Sequence, residues 1–172
     1  QVEYPANFQL IAAMNPCPCG YLGDASSRCR CTEEQTHRYQ NKISGPLMDR
    51  LDIVIEVHSI PDAIINQTRE VDSETSTTIR ERVCNTFKHQ LKRSGCSNSA
   101  LKTNDIEEYC GLSENDKSLL QTATRKLSLS GRAIHRILKV SRTIADLSDY
   151  EQIQTQHLTE AMSYRKKINY SN

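Results

Sequence analysis

Apolar and polar positions change their rhythm along the chain. Phe8-Gln-Leu-Ile-Ala-Ala-Met14 is a short, nearly continuous apolar run ended by the turn signal Asn15-Pro16. Such a run predicts a strand buried on both faces of a parallel sheet. A cysteine-rich loop follows from Pro16 to Cys31. Thr32-Glu33-Glu34-Gln35 has capping-box spacing and opens a polar helix to about Lys42, broken at Gly45-Pro46. In Leu51-Asp-Ile-Val-Ile-Glu-Val57, Leu51, Ile53, Ile55 and Val57 recur at every second position, which predicts a second strand. Residues 61–76 are polar, rich in Asp, Glu, Ser and Thr, and read as a linker.

Beyond the linker the period becomes helical. Ile79, Val83, Phe87 and Leu91 recur at spacing four along a helix ending near Gly95. Thr103 suits the cap of a short helix through Cys110, closed by Gly111. Ser113 leads a helix carrying Leu119, Leu120, Ala123 and Leu127 on one face. Ser130 begins another with Ile134, Ile137, Leu138 and Ile144, and Thr155 begins the last with Leu158, Ala161 and Met162 facing inward. The expected architecture is an α/β piece over 1–60 (two strands, a helix and the cysteine loop), a linker over 61–76 and an all-α bundle over 77–168, mainly helical overall. Two strands and one helix cannot cover both faces and the edges of a parallel sheet. With a start at Gln1 rather than Met, the chain reads as part of a longer protein.

Composition narrows the function classes. Hydrophobic residues make up 37% and charged residues 25% of 172, with a net charge of +1. That balance supplies no global field for nucleic acid or membrane, so any nucleic-acid contact needs a local patch. No apolar run approaches the roughly 20 residues of a membrane span. Seven cysteines, an odd number, argue against a fully paired secreted framework and for a reducing, cytoplasmic compartment.

Several positions can carry chemistry. Asn15 follows a predicted strand, where open α/β sheets bind ligands; it can orient a water or a phosphate oxygen, or simply make the turn. Arg50, at a loop-to-strand junction, can be presented outward to a phosphoryl group, or pair with Asp49 or Asp52 at the surface. Arg132 lies in the first turn of its helix, with Arg136 and Lys139 on roughly the same face; that face can meet phosphate or simply be solvated. Cys17-Pro-Cys19 and Cys29-Arg-Cys31 form a CxC-x9-CxC pattern. Four thiolates in two close pairs can satisfy tetrahedral zinc in a closed, structural site, or remain free thiols, or oxidise to disulfides. None of the five histidines has zinc-motif or triad spacing, and there is no GxxxxGK[ST] phosphate cradle.

Three segments together, Leu10-Ile-Ala-Ala-Met-Asn-Pro-Cys-Pro-Cys-Gly20, Ile43-Ser-Gly-Pro-Leu-Met-Asp-Arg-Leu-Asp52 and Leu129-Ser-Gly-Arg-Ala-Ile-His-Arg-Ile-Leu138, resemble in order and spacing the ComM/YifB group of magnesium-chelatase-like AAA+ ATPases. The resemblance runs from Gln1 to Tyr164. It implies that the first piece is the C-terminal part of an AAA+ core and the bundle its lid. Asn15 would be the sensor 1 residue, Arg50 the arginine finger and Arg132 the sensor 2 arginine. Gln1 to Asn7 would be the tail of a β-hairpin. The parent would be a hexamer that uses ATP and Mg²⁺, similar to ComM helicases that drive branch migration of DNA in natural transformation. Lacking Walker A and B motifs, this stretch alone would not hydrolyse ATP. Two alternatives are an ATPase subunit of a chelatase-type metal-insertion complex and a zinc-stapled interaction or DNA-binding module.

Overall fold

The capping box read from the sequence forms as written. Thr32 Oγ1 accepts from the Gln35 N–H at 3.2 Å, and Gln35 Oε1 accepts from the Thr32 N–H at 3.0 Å. It opens α1, Glu33–Gln40, which ends on Asn41. The computed structural model of the chain describes residues 2–5, 8–23, 27–57 and 74–165. Positions 61–73 of the expected linker, 166–168 of the expected bundle, and 1, 6 and 7 of the expected hairpin tail lie outside them. The chain divides into two units, Gln1–Gly45 and Pro46–Ser171.

Among the described residues there are seven α-helices and no strand, so the chain is mainly helical. This corrects the expectation of strands at 8–14 and 51–57. A parallel strand is held by bonds to its neighbours rather than within itself, and here neither run meets one. Phe8 is 74% exposed and Ile11 84%, in runs whose composition belongs to a sheet interior. The Val54 N–H is satisfied instead by the Tyr164 carbonyl at 3.1 Å. The Gly45-Pro46 break holds α1 apart from α2, the single turn Gly45–Met48. Proline suits such a first turn, because its missing N–H would have no partner there anyway.

The remaining helices belong to the second unit. They are α3 (Ser76–Ser94), α4 (Thr103–Tyr109), α5 (Glu114–Leu127), α6 (Gly131–Leu147) and α7 (Thr155–Ser163), with a 3-10 turn at Asn98–Ala100. Thr75, Ser113 and Ser130 cap α3, α5 and α6 through their side-chain oxygens. Gly95 ends α3 at φ 74°, a left-handed position that costs other residues more. The cap of α4 is Lys102 rather than Thr103, its N–H held by Asp105 Oδ2 at 2.7 Å.

α6 lies at the centre, packed on α3, α4, α7 and the 3-10 turn. Ile137 and Ala145 from α6, Leu158 and Ala161 from α7, Ile106 from α4 and Leu120 from α5 form the buried core. The stripe on α3 behaves differently from its reading. Ile79, Val83, Phe87 and Leu91 stay open to solvent, while Thr86 and Gln90 are buried. Steps of four in a helix of about 3.6 residues per turn drift by roughly 40° each, so the stripe winds away from one contact line.

A buried polar network then fixes the ends of α3 and α6. Asp146 accepts from Arg93 at 2.6 and 2.9 Å, from Arg142 Nε at 2.9 Å and from Asn98 Nδ2 at 2.8 Å. Arg142 also donates to the carbonyls of Tyr150 and Glu151, which clamps the α6–α7 connection. No helix among the described residues is long and apolar enough to cross a membrane.

Candidate functional site

In the first unit the cysteine loop closes on itself. The Gly20 N–H bonds the Cys17 carbonyl at 3.0 Å, and Gly20 sits at φ 83°. This turn doubles the chain back so that Cys17 and Cys19 point the same way. Gln40 at the end of α1 donates to the Pro16 carbonyl at 3.0 Å, and the Arg28 guanidinium stacks 4.6 Å from the Tyr21 ring centre. The result brings all four predicted thiols together. Cys17 Sγ lies 3.3 Å from Cys19 and 3.8 Å from Cys29, and Cys19 lies 3.6 Å from Cys29. All four sulfurs, Cys31 included, fall within 4.8 Å of one another.

Those separations discriminate between the open readings. Four thiolates each about 2.3 Å from a tetrahedral ion stand roughly 3.8 Å apart. A disulfide needs about 2.05 Å, and all four cysteines are free. Backbone amides also aim at the sulfurs. The N–H groups of Tyr21 and Arg30 bring the Cys19 thiol down to about 6. The Cys19 N–H lowers Cys31, but hydrogen bonding with Cys19, burial and the Cys17 charge outweigh it and push Cys31 up to about 12. Negative charge on one sulfur is thus resisted by the next. A cation among them removes that conflict, so the donor set fits a metal ion with soft-ligand preference.

Asn15 stands directly before this loop. A Cβ added at Gly20 would lie 3.7 Å from its Nδ2, so the amide rests against the turn. The residue is exposed and belongs to the first unit.

The second unit brings together the two predicted arginines. Arg50, Arg132 and Arg136 line one cavity of about 330 Å³, with Pro46, Asp49 and Ser130. α2 and its turn supply Arg50, whose N–H is fixed to the Leu47 carbonyl at 2.9 Å. The Ser130 cap starts α6, and one turn of helix sets Arg132 and Arg136 on the same side. Arg50 and Arg132 are exposed, and neither shares an ion pair among the described residues. The surface pairing of Arg50 with Asp49 or Asp52 is therefore not formed. Asp52 pairs with Arg136 at 2.8 Å, and Asp49 faces Arg165 at 3.8 Å. A larger hollow of about 570 Å³ runs along α1 by Glu34, His37 and Lys42. It mixes charges of both signs on one helix face and gathers no set of like donors.

Sequence reasoning missed the partners of Arg136 and the Asp146 network, since both join positions far apart in the chain. Lys139, grouped with Arg132 by the helical period, instead donates to the Ser99 carbonyl at 2.9 Å.

An arginine-lined cavity in the helical unit and a metal-competent cysteine loop in the other unit coincide with two family matches. The profile described as magnesium chelatase, subunit ChlI C-terminal matches residues 73–165, and that described as magnesium chelatase, subunit ChlI matches residues 1–65. The chain belongs to this magnesium chelatase ChlI family, which is of the AAA+ ATPase type. More particularly, it is ComM/YifB-like. It is 44% identical to competence protein ComM of Haemophilus influenzae over 98% of this chain and 32% of that protein. It is 45% identical to the uncharacterized protein YifB of Salmonella typhimurium, and 44% to that of Escherichia coli, each over 96% of this chain and 32% of the relative. The chain thus spans about a third of the length of the curated relatives it matches.

Proposed function

We propose that the chain is the C-terminal portion of a hexameric AAA+ motor ATPase of the ComM type that acts on DNA, and that Arg50 and Arg132 serve its ATP site. The observation that carries this is their convergence on one cavity of one unit, each exposed and without an ion pair among the described residues. Guanidinium groups held this way suit the charge that builds on a phosphoryl group during transfer. A finger acts across a subunit boundary, on the neighbour's nucleotide. Arg132, lining the same cavity, would serve as the sensor 2 arginine of the lid. Asn15 would orient the attacking water as the sensor 1 residue. ATP and Mg²⁺ would be bound by Walker motifs of the parent; this chain supplies only the trans-acting and sensing side. In that parent, runs 8–14 and 51–57 would be strands of a completed sheet.

The test is turnover by the full-length protein. Arg50→Ala should reduce ATP hydrolysis by about 10³–10⁵ while ATP binding is largely kept. Arg50→Lys should rescue poorly, because an ammonium lacks the planar fork. Normal hydrolysis by Arg50→Ala would refute the finger role.

The four cysteines are read as ligands of one structural zinc ion. With four protein ligands the ion would close the loop rather than take part in catalysis. The family description also supports a second reading, an ATPase subunit of a metal-insertion complex. A tetrapyrrole defect in a deletion strain would favour it; a recombination or transformation defect would favour the DNA motor.

A further inference from the structure

Arg50 sits on backbone that has no ladder to hold it. Residues 51–57 form neither helix nor strand, so the orientation of Arg50 depends on whatever grips the main chain beside it. Turn bonds from the Arg50 and Leu51 N–H groups to the Leu47 and Met48 carbonyls hold it locally, and three contacts from distant residues tie it to the helices, all within the second unit. Arg136 Nη1 donates to the Arg50 carbonyl and to Asp52 Oδ1. Arg165 donates to the Leu51 carbonyl, and the Val54 N–H to the Tyr164 carbonyl.

Of the three, Arg136 grips the residue that matters. It is one helical turn from Arg132 on α6. Its guanidinium therefore connects the helix bearing one phosphate-facing arginine to the backbone bearing the other. It also lies in a cavity with two further guanidiniums, where unopposed positive charge would drive the three apart. Asp52 opposes it directly at 2.8 Å. A short side chain in place of Arg136 would free the Arg50 carbonyl and leave Asp52 without its cation.

We infer that Arg136 is a positioning residue for Arg50, and that with Asp52 it locks the placement of Arg50 to helix α6 and hence to Arg132. The inference rests on the proposed role of Arg50 in ATP hydrolysis. Arg136 does its work through the carbonyl of Arg50 and not on the phosphate. Displacement of a catalytic group by about 1 Å can cost roughly 100-fold in rate, which sets the scale of the effect.

The experiment measures kcat and KM for ATP in the full-length protein with Arg136→Gln, Asp52→Asn, their double variant and Arg50→Ala as reference. Arg136→Gln should lower kcat by about 10- to 100-fold with KM nearly unchanged. Asp52→Asn should lower kcat in the same direction, and the double variant should be no worse than Arg136→Gln alone, since the two act as one unit. Asp52 is an exposed side chain, so its variant reads the lock even if Arg136→Gln fails to fold. Unchanged or raised kcat in Asp52→Asn, with loss in Arg136→Gln, would make Arg136 a direct phosphate ligand and overturn the positioning role. Unchanged kcat in both, with Arg50→Ala inactive, would overturn it and leave the finger standing. Full turnover by Arg50→Ala would remove both.

Discussion

Single residues here divide into those whose chemistry was legible from neighbours and those whose chemistry depends on distant partners. Cys17, Cys19, Cys29 and Cys31 lie within fifteen positions, so a short loop must bring them near one another, and the turn at Gly20 completes the approach. About one zinc per chain is expected in reduced, freshly prepared protein by metal analysis. Cys17→Ser or Cys29→Ser should release it; a metal-replete preparation with four titratable thiols and no zinc would contradict the site. Asp146 was not legible, because its partners Arg93 and Asn98 come from another helix and the 3-10 turn. Its carboxyl is disfavoured as an anion by burial, but hydrogen bonds from Arg93 and Asn98 and the Arg142 charge outweigh this and hold it below the ordinary range. Asp116 is lowered likewise by Ser113 and Thr155. Both therefore contribute stability that is present above the unfolded value of about 3.9 and lost as pH falls through the lower folded values. His157 is lowered by burial and then by the Arg142 charge, so its contribution is present above about 6.5 and fades on acidification. Thermal midpoints should decline in two stages as pH falls, near-neutral and then acidic. His157→Gln should flatten the first stage, and Asp146→Asn the second; a midpoint independent of pH between 3 and 7, on the scale of these ordinary values, would contradict the assignment.

At the scale of elements, helices were readable and strands were not, for one physical reason. A helix satisfies its backbone within itself and announces its ends through caps, so Thr32, Ser113 and Ser130 marked real boundaries. A strand needs a partner supplied from elsewhere, so the apolar runs at 8–14 and 51–57 carried the composition of strands without the pairing. The α3 stripe shows the other limit: spacing four indicated a helix, but which face packs was decided by the drift of the stripe and by Gln90, whose Oε1 accepts from the Asn98 N–H at 3.0 Å. The core residues Leu101, Ile106, Leu120, Ile137, Leu158 and Ala161 all lie after α3, the last two of them in α7. A truncation to residues 74–165 is therefore expected to unfold in one cooperative transition in urea. A broad, non-cooperative melt would show that segment 46–57, tied on by Arg136 and Arg165, is needed for folding.

Across the whole molecule, the proposed function has the chain supply arginines to a reaction whose phosphate-binding loop it does not contain. The arginines converge in one unit, and the cysteine loop forms in the other. The resemblance carried by three short segments holds over nearly the full chain in the ComM and YifB relatives, each about three times as long. What composition left open, the cavity narrows: a nearly neutral chain concentrates three guanidiniums at a single place. The measurement that tests the central claim most directly is ATP turnover by mixed hexamers of the full-length protein. Arg50→Ala subunits are combined with subunits whose Walker A lysine is removed. Each alone should be inactive, and the mixture should recover turnover at interfaces that join one intact phosphate loop to one intact Arg50. Normal hydrolysis by hexamers built only of Arg50→Ala subunits, or no recovery in mixtures shown to co-assemble and bind ATP, would contradict it.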